Sequence, residues 1–386
     1  MSTATIHRPQ TFAEAAHALA VATAAGQRVR IAGAGTKLGW GSPGDEPDCE
    51  LRTGGLDRIV EHNAGDMTAT LQAGVPLSLA QRTFAAAGQM LALDPPLMLD
   101  GAGEPTIGGV VATGDSGPLR HRYGAPRDLV VGITVALSDG TIARAGGKVI
   151  KNVAGYDLAK LFAGSFGTLG LILSVNVRLH PLHESSVTAL AAARDPAGLT
   201  RAAVQLAAAP LEFEALDVAW RAGRGGLLAR CAGPEAARRA RRAARLMAEA
   251  GLTDVDVADP DGQLWERQRA GQRSLERAIV RIAAAPTGLG EVIAATEAAG
   301  ATLVGRAALG CSYVEVDPAE VANLRRRLPP GSMAIVLDAP AALRAGIDVW
   351  GTESERDAAA LDLMRRIKAR FDPAGTCNPG RFVAGI

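Results

Sequence analysis

The stretch that decides the fold is Ala32-Gly33-Ala34-Gly35-Thr36-Lys37-Leu38-Gly39-Trp40-Gly41. It follows a short apolar run, 29–32, that is predicted to be a β-strand. Glycines at 33, 35 and 39 permit positive φ angles and a close approach of the backbone to a ligand. Successive N–H groups in such a loop point into one concavity, which suits a diphosphate. The loop therefore predicts a phosphate site, although a plain glycine-rich turn is an equal alternative on this segment alone.

A Rossmann nucleotide site is a poor explanation for this loop. That site requires a strand, then GxGxxG, then a helix whose first turn holds the phosphate. Leu38 stands where the third glycine belongs, and Ser42-Pro43 follows too soon for a helix. The helix precedes the strand instead: 11–26, with Thr11 as N-cap and Glu14 three residues later in a capping box. The pattern therefore disfavours a Rossmann NAD site.

Composition excludes several classes of function. The chain has 386 residues, 48% of them hydrophobic, which predicts two or more domains with substantial cores. The formal net charge is +1, so nothing points to nucleic acid. No signal peptide and no apolar run of about 20 residues is visible, which predicts a cytoplasmic protein without a membrane span. The cysteines are Cys49, Cys231, Cys311 and Cys377, and no two of them form a CxxC motif. A metal or iron–sulfur site is therefore not expected in this chain.

One cluster of charge stands out, in the helix predicted over 234–250. Its arginines at 238, 239, 241, 242 and 245 are expected to form a solvated face. A docking patch for an acidic partner is the alternative.

The secondary-structure pattern changes after residue 183. Before it, strands are predicted at 58–61, 68–73, 130–137 and 169–179, helices at 77–87 and 156–163, and a glycine-dense loop at 100–125. After it, strands interleave with helices at 197–208, 234–250, 288–299 and 318–328. This is an α+β pattern, with helices on one side of an antiparallel sheet. An amphipathic helix at 355–370 ends the chain, and we find no internal repeat.

Further segments of small residues suit a planar ligand lying on bare backbone. They are 106–117 (TIGGVVATGDSG), Arg127-Asp128, 151–158 (KNVAGYDL) and 164–170 (GSFGTLG). Long irregular segments in a compact domain are usually functional. Alternatively, Thr106 and Ile107 begin a strand, Tyr156-Asp157 serves packing and helix capping, and Gly155 and Gly164 only terminate helices.

Together these segments resemble the vanillyl-alcohol oxidase / p-cresol methylhydroxylase type of FAD-binding flavoprotein. The order GAGT, PTIGG, SG, RYG, RD, KNVAGYDL, GTLGLI and FDPAGTCNPG carries the likeness, over residues 9–182 and 348–386. Within that type, the ending resembles the E-type FAD-binding subunits of bacterial glycolate oxidases. The resemblance implies an α+β fold: a two-subdomain FAD-binding domain (1–182), a ferredoxin-like antiparallel cap (183–340) and a C-terminal return (341–386).

The resemblance also implies the roles of individual residues. The pyrophosphate is expected on Gly33, Ala34, Gly35, Thr36, Lys37 and Leu38. The adenosine and the flavin ring are expected along Thr106, Gly108, Gly109, Ala112, Thr113, Ser116 and Gly117. Gly167 and Ile172 are expected near the adenine and ribose, and Asn378 beside the isoalloxazine. Residues 32–41 contain no His or Cys for a covalent flavin link, so we expect non-covalent FAD.

The pattern departs from the family where substrate chemistry is expected. Hydroxyacid dehydrogenases of this type carry a cap motif, HxGDGNxH, that binds a divalent metal. Here no histidine follows His183, and the nearest stretch is 308–313 (ALGCSY). Imidazole suits both metal binding and proton removal near neutral pH. The sequence thus assigns no metal site and no catalytic base; Arg127, Arg306 and Lys151 are candidate cations for a carboxylate. His121 is expected to be an ordinary loop histidine.

The leading expectation is an FAD-binding subunit of a glycolate oxidase complex. The complex oxidises glycolate to glyoxylate; a larger homologous FAD-containing subunit is the catalytic partner, and an iron–sulfur subunit takes the electrons. Such a chain is cytoplasmic, or peripheral to the inner membrane through the complex. The alternatives are a self-sufficient FAD-dependent dehydrogenase of D-lactate or a similar 2-hydroxy acid, and a scaffold that has lost FAD.

Overall fold

The computed structural model describes residues 4–97, 103–148, 157–344, 346–351 and 358–386. Up to Pro181 the elements follow this order: β1 (Thr5–His7), α1 (Phe12–Ala24), β2 (Val29–Ala32), β3 (Cys49–Arg52), β4 (Ile59–Asn63), β5 (Thr68–Gln72), α2 (Leu77–Ala85), β6 (Gln89–Met90), α3 (Ile107–Thr113), α4 (Arg120–Tyr123), α5 (Pro126–Leu129), β7 (Val130–Ala136), β8 (Ile142–Gly146), α6 (Ala159–Phe162), β9 (Leu171–Arg178) and β10 (His180–Pro181). The predicted strands and the first two helices of this part are present, with ends shifted by a residue or two.

Two sheets organise this first part. Strands β1, β3 and β2 form a small parallel sheet in that order, and β4, β5, β9, β7 and β8 form an antiparallel one. Helix α1 packs Leu19 against the small sheet at Leu51 and against Leu171 and Leu173 of β9. A second core joins α2 and α3 to the other face of the antiparallel sheet. The confirmed α+β architecture thus leaves the end of β2 facing α3.

The following part, 186–338, is built around an eight-stranded antiparallel sheet. Its elements are β11 (Ser186–Ala193), α7 (Pro196–Ala208), β12 (Ala215–Arg221), β13 (Arg224–Ala232), α8 (Ala236–Glu249), β14 (Thr253–Ala258), α9 (Gly262–Ala270), β15 (Ala278–Ala283), α10 (Leu289–Ala298), β16 (Thr302–Arg306), β17 (Cys311–Val316), α11 (Val321–Arg327) and β18 (Met333–Asp338). Helices α7, α8, α10 and α11 cover one face over a continuous apolar core, as predicted. We call this part the cap.

The cap contains a duplication that the sequence does not show. Its strand order is β14-β11-β13-β12-β16-β17-β15-β18. The first four strands, with α7 and α8, follow a β-α-β-β-α-β path, and the last four repeat it with α10 and α11. This is the ferredoxin-like path, and the two units join edge to edge where β12 pairs with β16. The repeat lies in strand order and chain path rather than in similar residues, so the sequence does not indicate it.

The end of the chain returns to β2. It contains α12 (Ala341–Arg344) and α13 (Ala358–Phe371); the predicted start of α13 lies outside the described residues. On α13, Ile367 and Phe371 pack against the core beneath α3. Beyond it, Val29 N donates to Thr376 O (2.8 Å) and Asn378 N donates to Val29 O (2.9 Å). The last residues therefore extend the small sheet beside the glycine-rich loop.

Some elements differ from the sequence prediction. The segment 100–125 is not simply a loop, because α3 spans Ile107–Thr113 and Thr106 caps it by accepting from Gly109 N (3.3 Å). Thr106 therefore begins a helix rather than a strand. Two adjacent glycines lower helix propensity, but the burial of Ile107, Val110 and Val111 outweighs it.

Other differences are smaller. At α1, Thr11 caps as expected, but the Glu14 carboxylate accepts from Gln10 N (2.8 Å) rather than from the cap residue. Strand β14 and helix α9 were not predicted at all. The start of the helix expected at 156–163 lies outside the described residues. In the described part of the chain, no helix combines the length and apolarity needed to cross a membrane.

A buried carboxylate fixes the C-terminal return, which gives a first prediction. Asp372 accepts from Thr376 N (3.1 Å), Cys377 N (2.8 Å) and Lys368 Nζ (2.6 Å). Asp372→Ala removes these bonds and leaves the Lys368 ammonium poorly compensated, so we expect the unfolding free energy to fall by about 3 kcal/mol. Urea denaturation followed by circular dichroism measures the change.

Asp362→Ala is the matched control on the same helix. Asp362 pairs with Arg366 at the surface, and loss of that pair should cost less than about 0.5 kcal/mol. Equal losses in the two variants would contradict a special role of Asp372.

Candidate functional site

A cleft opens between the end of β2, α3 and the start of β9. All the candidate residues from the sequence line it except Ser116 and Gly117. The structure thus brings together the glycine-rich loop, the TIGG segment, Gly167 and the C-terminal Asn378. The lining residues that sequence reasoning missed are Arg30, Ile31, Ala32, Thr53, Ala73, Phe166, Gly170, Leu171 and Arg381.

Part of the cleft wall is bare backbone, because side chains do not fit at two of its glycines. A Cβ on Gly33 would lie 2.1 Å from Thr106 Oγ1, and a Cβ on Gly108 would lie 2.7 Å from Ala73 Cβ. Gly35 has a φ of +88°, which favours glycine. The loop and α3 therefore meet with only the Thr106 hydroxyl between them.

The loop presents free hydrogen-bond donors to the cleft. Within the described residues, the backbone N–H groups of Gly33 to Lys37 donate to no protein acceptor, whereas Leu38 N closes a turn on Gly35 O (3.1 Å). A run of unpaired amides at a cleft calls for an anionic or strongly accepting ligand. The donor set therefore fits the diphosphate of a dinucleotide.

Asn378 joins three chain segments beside the cleft through hydrogen bonds. Its Oδ1 accepts from Ile31 N (2.8 Å), and its Nδ2 donates to Phe166 O (2.7 Å). A Cβ on Gly167 would lie 2.7 Å from the same Nδ2. Gly167 and Asn378 are thus neighbours, although the family resemblance assigned them to opposite ends of FAD.

Ser116 and Gly117 lie at the junction with the cap instead of on the cleft wall. Ser116 is buried and accepts from Arg120 Nη1 (3.4 Å). Gly117 O accepts from Arg306 Nε (3.1 Å), and Arg306 Nη1 donates to Asp217 Oδ2 (2.9 Å) in the cap. The Arg306–Asp217 pair is fully buried and ties the cap sheet to the TGDSG loop.

A second buried charged pair links the glycine-rich loop to the TGDSG loop. Lys37 Nζ lies 3.2 Å from Asp115 Oδ2, and both side chains are almost completely buried. The Lys37 ammonium stands 5.7 Å from the ring centre of Trp40, while the Arg273 guanidinium lies 5.4 Å from it. Trp40 packs into the cap sheet beside Tyr313. The glycine-rich loop therefore contacts the cap through Trp40.

Two carboxyls at this junction have raised pKa values. Burial raises the pKa of Asp94 to about 7, against the opposing effect of Arg269 and Arg306. Burial likewise raises the pKa of Asp217 to about 6, again opposed by Arg306. Sequence reasoning missed both residues, since nothing in Leu93-Asp94-Pro95 signals burial. They can hold a proton near neutral pH.

The other candidates do not converge on this site. Arg127 is exposed on α5, and Lys151 lies outside the described residues. His121 belongs to α4, and burial, followed by repulsion from Arg122, lowers its pKa. Among the described residues there is no group of three or more His, Cys, Asp or Glu side chains placed to hold a metal ion.

The fold and the amide-lined cleft define a dinucleotide-binding protein, and the comparisons identify the dinucleotide. Residues 3–146 match the FAD binding domain, and residues 351–382 match the C-terminal domain of FAD linked oxidases. The chain thus carries an FAD-binding domain with FAD as its cofactor, and it is related to the FAD-linked oxidoreductases.

Curated relatives include two glycolate oxidase subunits. The GlcE subunit of Escherichia coli K12 is 38% identical over 130 residues, which are 34% of this chain and 36% of the relative. The GlcD subunit of Bacillus subtilis 168 is 38% identical over 159 residues, 41% of this chain and 33% of the relative. The matched region thus spans about a third of each subunit. An uncharacterized FAD-linked oxidoreductase of Mycobacterium tuberculosis is 25% identical, with 97% of this chain and 89% of the relative covered.

Solved structures support the fold as a whole. Alkyldihydroxyacetonephosphate synthase matches with a TM-score of 0.68 at 16% identity, over 97% of this chain and 76% of that chain. At this identity the likeness concerns architecture alone. It extends across the cap as well as the cofactor-binding part.

The bare contact between the loop and α3 gives a second prediction. Gly33→Ala forces its new methyl against Thr106 Oγ1, so the amides of the loop must move and the dissociation constant for FAD should rise at least about tenfold. Flavin fluorescence quenching on titration of the apoprotein measures the constant. Gly54→Ala is the control, because a Cβ there meets nothing within 4 Å. Unchanged FAD affinity in Gly33→Ala would argue against the loop as the phosphate site.

The buried carboxyl at Asp94 gives a third prediction. Its folded pKa of about 7 lies above an unfolded value of about 4, so folding favours the protonated form. That stabilisation is complete below the unfolded pKa and is lost as the pH rises through 7. From pH 5 to pH 8, the unfolding free energy of the wild type should fall by about 2 kcal/mol relative to Asp94→Asn. Parallel pH profiles for the two proteins would contradict the shifted pKa.

Proposed function

We propose that this chain is the FAD-carrying subunit of a glycolate-oxidising complex and binds FAD non-covalently. The observation that carries the proposal is the run of unpaired amides from Gly33 to Lys37 on a cleft walled by glycine. The similarity to GlcE supports the choice of complex. In this proposal the FAD-binding domain is 1–182, the cap 183–340 and the C-terminal return 341–386.

The residues hold the cofactor in a defined order. The amides of the glycine-rich loop bind the diphosphate, and Thr106, Gly108, Gly109, Ala112 and Thr113 form the flat wall on the other side. Gly167 and Asn378, being neighbours, serve the same stretch of the cofactor. Bound FAD supplies the capacity to accept two electrons and release them singly. Lys37 and Asp115 keep water away from the cap-facing end because both are buried.

Partner subunits complete the reaction in this proposal. Oxidation of a hydroxy acid needs a group that takes the hydroxyl proton and a cation that holds the carboxylate. The cap contains no histidine beyond His183, its first residue, because none follows it in the chain. We therefore assign substrate oxidation to a larger homologous flavoprotein and onward electron transfer to an iron–sulfur subunit. The complex works in the cytoplasm or on the inner face of the membrane.

A second candidate is a self-sufficient 2-hydroxyacid dehydrogenase. It is favoured by Asp94 and Asp217, whose raised pKa values make either carboxyl able to hold a proton near neutral pH. Arg306 lies between them and the TGDSG loop, with Nη2 unpartnered among the described residues, so it could serve a carboxylate. D-lactate and D-2-hydroxyglutarate dehydrogenases among the relatives are consistent with this reading.

Anaerobic substrate addition separates the two candidates. The purified chain, loaded with FAD, is mixed with glycolate, D-lactate or D-2-hydroxyglutarate while the absorbance near 450 nm is followed. The subunit proposal expects no bleaching by any of them, and bleaching by glycolate once the partner subunits are added. Full bleaching of the isolated chain would overturn the proposal and establish the second candidate. Asp94→Asn and Asp217→Asn would then identify the carboxyl involved.

A further inference from the structure

Three cations line the cleft, and they differ in how their charge is balanced. Arg30 Nη1 lies 3.1 Å from Glu50 Oε1, and Lys37 pairs with Asp115. Arg381, in contrast, has no carboxylate partner within the described residues. It comes from the C-terminal return, in the segment that follows Asn378.

The Arg381 guanidinium is held against the end of the glycine-rich loop. Its Nη2 donates to Leu38 O (2.8 Å) and to Trp40 O (2.7 Å). The backbone closes around it as well, since Ser42 N donates to Arg381 O (3.0 Å) and a Cβ on Gly41 would lie 2.6 Å from that oxygen. The position of the cation is thus fixed before any ligand arrives. Nε and Nη1 make no hydrogen bond to the described part of the chain, so they remain available as donors.

The environment of this cation favours an anion. Burial, followed by repulsion from Arg344 and Arg30, lowers the pKa of Arg381 to about 10. A half-buried charge without a counter-charge is costly, and an anion placed beside it recovers part of that cost. The neighbouring loop offers five backbone N–H groups that can donate to the same kind of ligand. An arginine with two free donor nitrogens, Nε and Nη1, suits a pair of phosphate oxygens.

We propose that Arg381 is the cationic half of the diphosphate site, completing from the C-terminus the cradle that the loop of residues 33–38 begins. This inference rests on the proposed FAD function and deepens it, because it assigns the ligand charge to one side chain. It also gives the C-terminal return a role in binding. The only cation of the N-terminal loop, Lys37, is paired with Asp115. The C-terminal return therefore brings an unpaired positive charge to the cleft.

The test compares ligands that differ only in phosphate. ADP and adenosine are each used to displace FAD from the full-length chain, and the dissociation constants are measured for wild type, Arg381→Gln and Arg381→Lys. We expect Arg381→Gln to weaken FAD and ADP by about ten- to a hundredfold and to leave adenosine unchanged. Arg381→Lys keeps the charge and should recover part of the ADP affinity. Arg28→Gln is the control, because Arg28 is exposed and paired with Asp48.

Each other outcome is decisive. Equal losses for ADP and adenosine would show that Arg381 only positions the loop, through Leu38 and Trp40. Unchanged ADP affinity, or ADP that fails to compete in the wild type, would also overturn the inference. A wild-type chain that binds no FAD at all would instead refute the proposed function, so the two failures are distinguishable. Thermal unfolding of each apoprotein checks that the variants are folded.

Discussion

The approach of Gly33 to Thr106 is the constraint on which the site depends. Because Gly33 has no side chain, its backbone can contact the hydroxyl of Thr106. A Cβ on residue 33 would lie only 2.1 Å from that hydroxyl oxygen. Both Gly33 and Thr106 line the cleft, so this contact lies in its wall. The same Thr106 caps α3, so helix and loop are fixed by a single side chain. Cofactor geometry and local folding are therefore not separable here.

The C-terminal return holds the loop and the neighbouring segments in place through hydrogen bonds. Asp372 orders the turn, the following residues pair with β2, and Asn378 joins Ile31 to Phe166. The cleft is consequently assembled from segments more than 300 residues apart. Such long-range closure ties the cofactor site to global folding, because local opening of the return removes one wall of the cleft.

The sequence predicted the loop, its strand and the α+β class because glycine spacing and apolar periodicity are local signals. It predicted α3 poorly, since Gly108 and Gly109 disfavour a helix that buried Ile107 and Val110 nevertheless stabilise. It missed Asp94 and Arg381 because burial and the lack of a counter-charge arise only on folding. It missed the cap duplication for a related reason: strand order is a property of pairing. The fourteen cleft residues that it did anticipate came from family motifs.

The cap and the glycine-rich loop meet through buried charge and one indole. Trp40 lies between the Lys37 ammonium and the Arg273 guanidinium and shares a buried apolar cluster with Tyr313 of the cap sheet. The most direct measurement of the central claim is the flavin content of the purified chain after acid precipitation. We expect about one FAD per chain, all of it released into the supernatant when the protein is precipitated with acid. A colourless protein, or flavin retained in the pellet, would contradict it.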